Sequence, residues 1–387
     1  MNIVLFAHPA FTAHQSMPRF ARMLAEGMKA RGHQVEVRAP QGRLVRLPLP
    51  KLWNKWLGYI DQYLAFPFEM RSKLKEDPAD TLFVFTDHAL GPWVPLVANR
   101  PHVIHCHDFL AQRSALGEIP ENPTSWTGRQ YQAYIRQGYS QGRNFISVSE
   151  TTRHDLHRFL PAQPATSDMV YNGLNQTFVP HNIIEARTAL GNKLGLDATL
   201  GYLLHVGGNQ WYKHRKGVLE LYNAWRDFSM SSLPLLMVGE APDEELSKSW
   251  QYSPYQQDIH WLSGLSDELV RLAYAGASVF LFPSLAEGFG WPIAEAMAAG
   301  CPVITTGTAP MTEVGGDSAF YIPRHLANEN ITGWAREGAQ VIEQVVTLDS
   351  VQRSKVAEAG LANARRFDAD ATLNRMEAIY QHILATY

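Results

Sequence analysis

Cysteine is scarce in this 387-residue sequence, since only Cys106 and Cys301 occur. Two cysteines are too few for a disulfide framework, and they do not have the spacing of a zinc site. We therefore expect the protein to work in the reducing cytoplasm. No apolar run approaches the ~20 residues that a membrane-spanning helix needs. The apolar residues 3–7 have no basic flank, so a buried first strand is expected there and not a signal peptide.

Excess charge of one sign is also missing, because 34 Lys and Arg stand against 37 Asp and Glu. A formal net charge of −3 gives no global attraction to nucleic acid, which is not expected as a partner. The sequence shows neither internal repeats nor low-complexity tracts. An apolar fraction of 45% is that of an ordinary globular protein, and 387 residues suffice for two domains.

Short apolar runs alternate with segments of helical periodicity from end to end, which is typical of parallel sheets covered by helices. Ligands of such sheets bind outside the carboxyl ends of the strands. The predicted strands are 3–8, 34–39, 81–86, 102–106, 144–148 and 168–171 in the first half, and 201–206, 234–238, 258–262, 278–283, 301–305 and 319–322 in the second.

The periodicity is interrupted between Asn172 and Leu190, which predicts a boundary between two domains. We assign residues 1–181 to an N-terminal domain and 182–367 to a C-terminal domain. The last residues, 368–387, form a predicted helix with an apolar face that needs a partner. We expect that helix to pack back on the N-terminal domain.

Residues 38–75 combine seven Lys or Arg, counted from Arg38 to Lys73, with two acids and several aromatic residues. One interpretation is a basic and aromatic surface that contacts an anionic membrane at the inner face of the cell membrane. The other is a helix that buries Trp53, Trp56 and its other apolar residues and leaves a solvated basic face. The sequence alone favours the buried helix.

Residues 278–305 predict a site for an anion. A buried strand ends at Pro283-Ser284 and is followed by a turn with two glycines, Gly288 and Gly290. Pro292 then stands where a helix would begin, and Gly300 where it would end. A glycine turn before a helix N-terminus offers backbone N–H groups and the positive end of the helix dipole, which suit a diphosphate.

Two carboxylates, Glu287 and Glu295, lie on either side of the glycines. Each alone could be an acid that complements the helix dipole. Carboxylates beside a phosphate site are unfavourable, however, unless their oxygens accept hydrogen bonds from a ligand. The hydroxyl groups of a ribose and of a hexose are suitable donors, so the combination predicts a nucleotide-sugar site.

The run from Glu287 to Ala298 resembles the Glu-x7-Glu signature of the large retaining glycosyltransferase family 4 (group 1), which has the GT-B fold. The resemblance implies an α/β protein of two Rossmann-like domains, with parallel sheets that face each other across a cleft. Further landmarks occur in the family's order across nearly the whole chain: His107-Asp108, Ser147-Val148-Ser149-Glu150, Asn172-Gly173, Val206-Gly207, Arg215-Lys216-Gly217, Val238-Gly239, Pro283-Ser284 and Pro302-Val303-Ile304.

The resemblance also implies roles for individual residues. Glu295 would hold the ribose hydroxyls of the donor, and Glu287 the hydroxyls of the transferred sugar. The backbone of the turn would bind the phosphate or sugar, while cations neutralise the diphosphate as the sugar leaves. The predicted catalytic residues are Glu287, Lys216, Arg215 and His107, and the predicted donor-binding residues are Glu295, Gly288, Phe289, Gly290, Gly207 and Gly208.

The chain departs from the family pattern in one important place. Members often carry an arginine directly after the Val-Gly of the first donor-domain strand, where this chain has Gly208 and Asn209. One phosphate contact is then either absent or made by Lys213. No Asp-x-Asp pair accompanies the diphosphate site, and His105 and His107 lack a second cluster of metal ligands, so no metal cofactor is expected.

We therefore predict a retaining hexosyltransferase that uses a GDP- or UDP-linked sugar. Its acceptor would be a glycan or a lipid-linked molecule in polysaccharide or glycoconjugate biosynthesis. The alternatives are a GT-B epimerase or phosphorylase-like enzyme, and a non-catalytic sugar-nucleotide binder. A dinucleotide-dependent oxidoreductase would need Gly-x-Gly-x-x-Gly after an early strand, which the sequence lacks.

Overall fold

A computed structural model describes residues 1–11, 16–47, 51–174 and 177–387 of the protein. The chain forms two compact units. The first unit comprises Met1–Ile119, Pro123–Asn175 and Ala369–Tyr387, and the second comprises Pro120–Asn122 and Gln176–Asp368. The boundaries predicted from the sequence lie after residues 181 and 367.

The first unit is built on a six-stranded parallel sheet in the order β2-β1-β3-β4-β5-β6. Successive residues of a strand face opposite sides, so Ile3 and Leu5 lie in one buried cluster while Val4 and Phe6 lie in another. Both faces of the sheet are therefore covered. The strands are β1 (Asn2–Phe6), β2 (Gln34–Arg38), β3 (Leu82–Phe85), β4 (His102–Cys106), β5 (Asn144–Ser147) and β6 (Thr166–Met169).

Helices supply the cover of this sheet. One face packs on α1 and on the C-terminal helix α15, whose Leu373, Met376, Ile379 and Tyr380 are buried within the first unit. The helices of this unit are α1 (Ser16–Ala30), α2 (Lys51–Ile60), α3 (Phe66–Glu76), α4 (Leu110–Ala115), α5 (Trp126–Tyr139), α6 (Glu150–Phe159) and α15 (Ala369–Thr386), with a π-helical turn at Asp61–Ala65 between α2 and α3.

The second unit has a parallel sheet of its own, in the order β12-β11-β10-β7-β8-β9. Its strands are β7 (Leu203–Gly207), β8 (Leu235–Gly239), β9 (Ile259–Leu262), β10 (Val279–Phe282), β11 (Val303–Thr306) and β12 (Phe320–Ile322). Its helices are α7 (Ile183–Leu194), α8 (Arg215–Arg226), α9 (Glu244–Gln251), α10 (Asp267–Gly276), α11 (Trp291–Ala298), α12 (Met311–Gly315), α13 (Ile331–Val346) and α14 (Ser350–Ala364).

All twelve predicted strands are confirmed, and each end lies within two residues of its predicted place. The small shifts fall at strand ends, where apolar burial and the residues of the strand do not stop at the same position. Ala7, for example, is buried but follows the last residue of β1. The prediction of two Rossmann-like domains is likewise confirmed.

The prediction of a buried helix within residues 38–75 is wrong. Five residues were predicted to be buried; of these, Trp53, Trp56, Ile60 and Leu64 are exposed, and Leu57 is partly buried. The helical run instead enters the core through other residues, such as Phe66 and Met70 of α3. Residues 48–50 of this segment lie outside the described residues. Within the part of the chain that the structure describes, no helix is both long and apolar enough to cross a membrane.

The strand order reverses at one place in each sheet, between β1 and β3 in the first unit and between β7 and β10 in the second. The loops that leave two such strands turn to opposite faces of the sheet, which opens a crevice at their carboxyl ends. Ligands of open parallel sheets bind in these crevices. Each unit therefore has one position at which a site is expected from topology.

Candidate functional site

Two loops meet at this position in the second unit. The lysine loop, residues 208–214, follows β7, and the glycine turn, residues 283–290, joins β10 to α11. The backbone N–H of Leu285 donates to the carbonyl of Tyr212 at 2.8 Å. Nζ of Lys213 lies 2.8 Å from Oε1 of Glu287. A backbone hydrogen bond and an ion pair therefore join the two loops.

The glycine turn is fixed at both ends. The hydroxyls of Thr305 and Thr306 on β11 donate to the carbonyls of Phe282 and Ser284, each at 2.8 Å. At the other end Gly290 has a φ of 98°, in the left-handed region that favours glycine. The turn then passes directly into α11, with proline in the first turn of the helix. The predicted strand, turn and helix start are all present.

Glu287 is enclosed, with a side chain only 8% exposed. Its Oε1 accepts from Lys213 and, at 2.6 Å, from Oγ of Ser284. The ammonium of Lys213 also lies 4.9 Å from the centroid of the Phe282 ring, a cation–π contact. Oε2 of Glu287 has no hydrogen-bond partner among the described residues. One carboxylate oxygen is thus held by the protein, and the other can accept from a ligand hydroxyl.

Glu295 lies on α11 and is oriented by a neighbouring helix. The hydroxyl of Tyr274 on α10 donates to Oε2 of Glu295 at 2.9 Å. Burial, together with the nearby Glu295 charge, raises the pKa of Tyr274 well above its usual value. Tyr274 is therefore a neutral donor at any physiological pH, and it fixes the direction of the carboxylate.

Arg215, the first residue of α8, is buried, with 4% of its surface exposed. Nη1 donates to the carbonyl of Glu240 at 2.9 Å and also to Oδ1 of Asn209. The guanidinium lies 4.9 Å from the centroid of the Trp261 ring. Nε and Nη2 are buried without a hydrogen-bond partner. Unsatisfied donors of a buried cation are costly, and an anionic ligand would satisfy them.

Lys216 is directed differently from Lys213. Its side chain is 46% exposed, and Nζ lies 3.1 Å from Oε1 of the exposed Glu245 on α9. The lysine that the structure brings to Glu287 is thus Lys213, which the sequence analysis considered only as an alternative phosphate contact. The role of Lys216 at the diphosphate stays a prediction.

His214, between Lys213 and Arg215, has a left-handed backbone conformation. Its φ of 49° makes it the only non-glycine residue with a positive φ among those the structure describes. The imidazole stacks on His325 and packs against Trp334, with ring centroids 5.0 and 5.2 Å away. Burial lowers the pKa of His214 to about 3, so the ring is neutral. A left-handed turn, whose imidazole is neutral and packed against two other rings, therefore lies between Lys213 and Arg215, the first residue of α8.

Gly207 and Gly208 begin the lysine loop. Gly207 pairs with Gly239 of β8, and a Cβ on Gly239 would lie 2.1 Å from the carbonyl oxygen of Gly207. A Cβ on Gly208 would lie 2.7 Å from the side chain of Gln210. The glycines thus allow a close approach of backbones at the end of β7. Their predicted contact with the donor remains untested.

Gly288 and Phe289 lie in the glycine turn. The Phe289 ring is buried and packs edge-on against Phe367, with centroids 5.3 Å apart. Its side chain therefore belongs to the core of the second unit. Only the backbone of this part of the turn can serve a ligand, in agreement with the type of contact that the resemblance implies.

His107 follows β4 at the carboxyl edge of the first sheet and is buried. Its Nε2–H donates to the carbonyl of Thr86 at 3.0 Å, and the Phe20 ring packs edge-on against it at 4.5 Å. Burial lowers the pKa of His107, so the imidazole is neutral near pH 7. Its predicted contact with the sugar stays a prediction.

Another pair of polar residues lies at the crevice of the first unit. Nε2 of His8, after β1, lies 2.8 Å from Oδ2 of Asp87, after β3. Burial by itself raises the pKa of Asp87, but the neighbouring His88 and His8 hold it well below its usual range. This pair was not predicted from the sequence. Its signal was available, because His8 ends one predicted strand, Asp87 directly follows another, and the two strands are neighbours in the sheet.

The described residues contain no group of three or more His, Cys, Asp or Glu arranged to hold a metal ion. Two further residues of the donor-domain site were missed. Ser284 could have been predicted as a site residue, because it follows a predicted strand. Tyr274 had none, because it reaches Glu295 from another helix, 21 positions earlier in the chain.

Two family models match the chain, one to each half. The model described as Glycosyltransferase Family 4 matches residues 17–178, and the model described as Glycosyl transferases group 1 matches residues 201–343. The second match contains the lysine loop and the glycine turn with both glutamates. The chain belongs to the group 1 glycosyltransferases of family 4. The enzyme is thus a glycosyltransferase.

Curated relatives of this glycosyltransferase act on several acceptors. The O-antigen chain mannosyltransferase B of Escherichia coli is 27% identical over 190 residues, which is 48% of this chain and 49% of that protein. This match thus spans about half of that relative. The phosphatidyl-myo-inositol mannosyltransferase of Mycobacterium leprae is 24% identical over 403 residues, covering 99% of this chain and 97% of that protein.

The GT-B fold is shared with solved structures. Anabaena HepE in complex with UDP and glucose has a TM-score of 0.72 to this chain at 16% sequence identity. The superposition covers 99% of this chain and all of that one. At this identity, the likeness concerns the fold of the two Rossmann-like domains.

Proposed function

We propose that this glycosyltransferase takes a hexose from a nucleoside-diphosphate sugar bound to the second unit and transfers it with retention of the anomeric configuration. The observation that carries the proposal is the pair of carboxylates around the glycine turn, the enclosed Glu287 and the half-buried Glu295. Glu287 keeps one oxygen for a hydroxyl, and Tyr274 directs Glu295. A carboxylate lies on either side of an anion site, and each can accept hydrogen bonds from a diol. This order matches that of a nucleotide-sugar, in which the diphosphate joins the sugar to the ribose.

In this proposal the cations serve the diphosphate. The buried Nε and Nη2 of Arg215 would donate to its oxygens, since they have no other partner. Lys213 would take the place of the arginine that the family often has after the first donor-domain strand. Lys216 would add a third positive charge from the start of α8. HepE was solved with UDP and glucose, which supports a UDP-sugar, while mannosyltransferase relatives leave GDP-mannose as an equal candidate.

The proposed reaction is a front-face displacement. The acceptor hydroxyl oxygen forms a bond to the anomeric carbon on the face from which the phosphate oxygen departs. The bond between that carbon and the phosphate oxygen breaks, and the hydroxyl proton passes to the departing oxygen. Catalysis then depends on positioning and on cations that stabilise the developing charge of the leaving group.

The acceptor is proposed to be a glycan or a lipid-linked molecule. The named relatives act on an O-antigen chain and on phosphatidyl-myo-inositol, which are acceptors of these two types. Both cysteines are free and buried, in keeping with work in the reducing cytoplasm. We also propose that transfer needs no metal ion, because Arg215, Lys213 and Lys216 can supply the positive charge. Activity should then survive excess EDTA, and its loss on chelation with recovery by manganese would contradict this part.

A thermal-shift screen of nucleoside diphosphates and their sugars tests the donor. A ligand at 100 times its dissociation constant stabilises the folded state by about 2.7 kcal/mol, enough for a clear rise in melting temperature. With the donor known, NMR of the product gives the anomeric configuration. An inverted anomer would contradict retention, and turnover without an acceptor would favour an epimerase or a phosphorylase-like enzyme.

A further inference from the structure

An apolar stripe lies exposed along the helical run of α2, the π-helical turn and α3. It consists of Trp53, Trp56, Ile60, Leu64 and Phe68, which recur every three or four residues and therefore share one face. These residues are between 38% and 77% exposed. Single exposed apolar residues are ordinary, but five in line on one helical face mark an interaction surface.

The opposite face of the helical run from α2 to α3 packs on the rest of the first unit. Asp61 is buried, and its carboxylate accepts from the backbone N–H groups of Leu44 and Val45. The indole N–H of Trp93 donates to the carbonyl of Gln62 at 2.9 Å. Phe66 and Met70 lie in the core of the first unit. The stripe is therefore held outwards by a fixed helix.

The surroundings of the stripe are basic. From residue 43 to residue 76 the described side chains include six exposed cations. The only acids among them are Asp61, which is buried, Glu69, which is partly buried, and Glu76, which is exposed. Glu69 is itself bound by Arg43 and Lys73. The exposed cations are Arg43, Arg46, Lys55, Arg71, Lys73 and Lys75.

Aromatic residues with polar ends extend this surface onto α5. Tyr59 packs at a tilt and Tyr63 edge-on against Tyr131, and the hydroxyls of Tyr63 and Tyr131 lie 2.5 Å apart. Trp126 and Tyr134, eight residues apart on α5, are exposed by 72% and 44%. Trp and Tyr with one apolar and one polar end are the side chains that favour the boundary between lipid headgroups and acyl chains.

We propose that the stripe docks the first unit on a bilayer that contains anionic lipid. The apolar residues would enter the interface, while the flanking cations meet the lipid phosphates. An anionic bilayer is favoured over a second copy of the chain, because a copy would bring six like cations to the same surface. The inference is independent of the donor and of the mechanism proposed above.

Vesicle co-sedimentation tests the proposal with the full chain and two kinds of vesicle, phosphatidylcholine alone and phosphatidylcholine with phosphatidylglycerol. The wild type should bind the anionic vesicles, and binding should weaken as salt is added. The double variant Trp56→Ser and Leu64→Ser should bind about a hundredfold more weakly, at roughly tenfold for each large side chain withdrawn from lipid. The double variant Arg71→Glu and Lys75→Glu should lose at least tenfold and show a smaller salt dependence.

The matched control replaces two exposed apolar residues of the second unit, Leu200→Ser and Met230→Ser, which are 80% and 100% exposed. It should bind as the wild type does. Circular dichroism and melting temperature should be unchanged in all variants, because only exposed side chains are altered. The proposal is overturned if the wild type does not bind anionic vesicles or if the apolar variant binds equally well. A dimer that the apolar variant dissociates, without vesicle binding, would assign the stripe to a second copy instead.

Discussion

The ion pair of Lys213 with Glu287 joins a cation to the carboxylate that we propose binds the transferred sugar. A ligand diphosphate could recruit this ammonium, because its charge exceeds that of one carboxylate. We expect Lys213→Ala to lower kcat about 100- to 1000-fold, as removal of a charge-stabilising donor does. Lys216→Ala should also lower kcat, by the resemblance to the family. Lys248→Ala, which removes an exposed lysine paired with Glu244, is the control and should leave kcat unchanged.

Steady-state kinetics on these three variants, each checked for folding by circular dichroism, decide between the lysines. If folded Lys213→Ala turned over at the wild-type rate, the pairing with Glu287 would have no part in transfer, and the cationic role would pass to Arg215 or Lys216.

Glu295 should bind a part of the donor remote from the reacting carbon, with Tyr274 as its positioning residue. We expect Glu295→Ala to raise the donor KM by about one to two decades with little change in kcat, since a hydrogen bond to a charged group contributes about 1.5–3 kcal/mol. Tyr274→Phe should raise the donor KM by roughly three- to tenfold, because only the direction of the carboxylate is lost.

Tyr202→Phe is the matched control for Tyr274→Phe. Tyr202 is also buried in the second unit, but its hydroxyl donates to the carbonyl of Ala273 and not to a carboxylate. It should change the melting temperature to a similar extent and leave the donor KM alone. Equal KM values for Tyr274→Phe and the wild type would show that Glu295 needs no such support.

At the scale of elements, the turn at His214 sets where Lys213 and Arg215 point. Gly217, the third residue of α8, makes room for this turn, since a Cβ there would lie 2.2 Å from atoms of the His214 ring. The His214 ring packs against His325 and Trp334, so it can move away from an added Cβ only if the backbone turn also shifts. We expect Gly217→Ala to destabilise the protein by about 1–3 kcal/mol and to lower kcat, as the cations move.

Gly333→Ala is the control for this substitution. Gly333 is likewise the third residue of its helix, α13, but nothing lies within 4 Å of the added Cβ. The gain in helix propensity should stabilise the protein by about 0.5–1 kcal/mol. Stability is measured by urea unfolding, and activity as kcat. If Gly217→Ala and Gly333→Ala had the same stability and the same kcat, the close contact of Gly217 with His214 would have no effect.

The elements also show what a sequence can and cannot predict. The strands were predictable because strands buried on both faces read as continuous apolar runs. The exposure of Trp56 and Leu64 was not, since an amphipathic pattern has the same period whether its apolar face meets the core or another surface. The place of Lys213 beside Glu287 depends on the left-handed turn at His214, and no glycine marks that turn in the sequence.

At the scale of the whole molecule, buried histidines make stability depend on pH. Burial lowers the pKa of His105, His205 and His214 to about 3, whereas these groups titrate near 6.5 in the unfolded chain. Between these values the unfolded chain binds protons that the folded chain does not, so folding stability falls as pH falls below about 6.5. Each such histidine should cost about 1.4 kcal/mol per pH unit. The raised pKa of His88 acts in the opposite direction in the first unit.

We therefore expect the melting temperature to fall steadily from pH 7 to pH 5, measured by calorimetry at constant ionic strength. His214→Asn, which has a side chain that tolerates a left-handed backbone, should reduce the slope. A melting temperature that is constant or rises over this range would contradict the assignment of neutral buried imidazoles.

We expect a nucleoside diphosphate to bind where the lysine loop meets the glycine turn. Hydrogen–deuterium exchange with and without UDP, and in parallel GDP, tests it most directly, because it locates the ligand without requiring an acceptor. One of these nucleotides should slow amide exchange in residues 207–217 and 283–298, and Glu295→Ala should weaken this protection. Protection by neither nucleotide, or protection confined to other segments of the chain, would show that the diphosphate does not bind at these two loops.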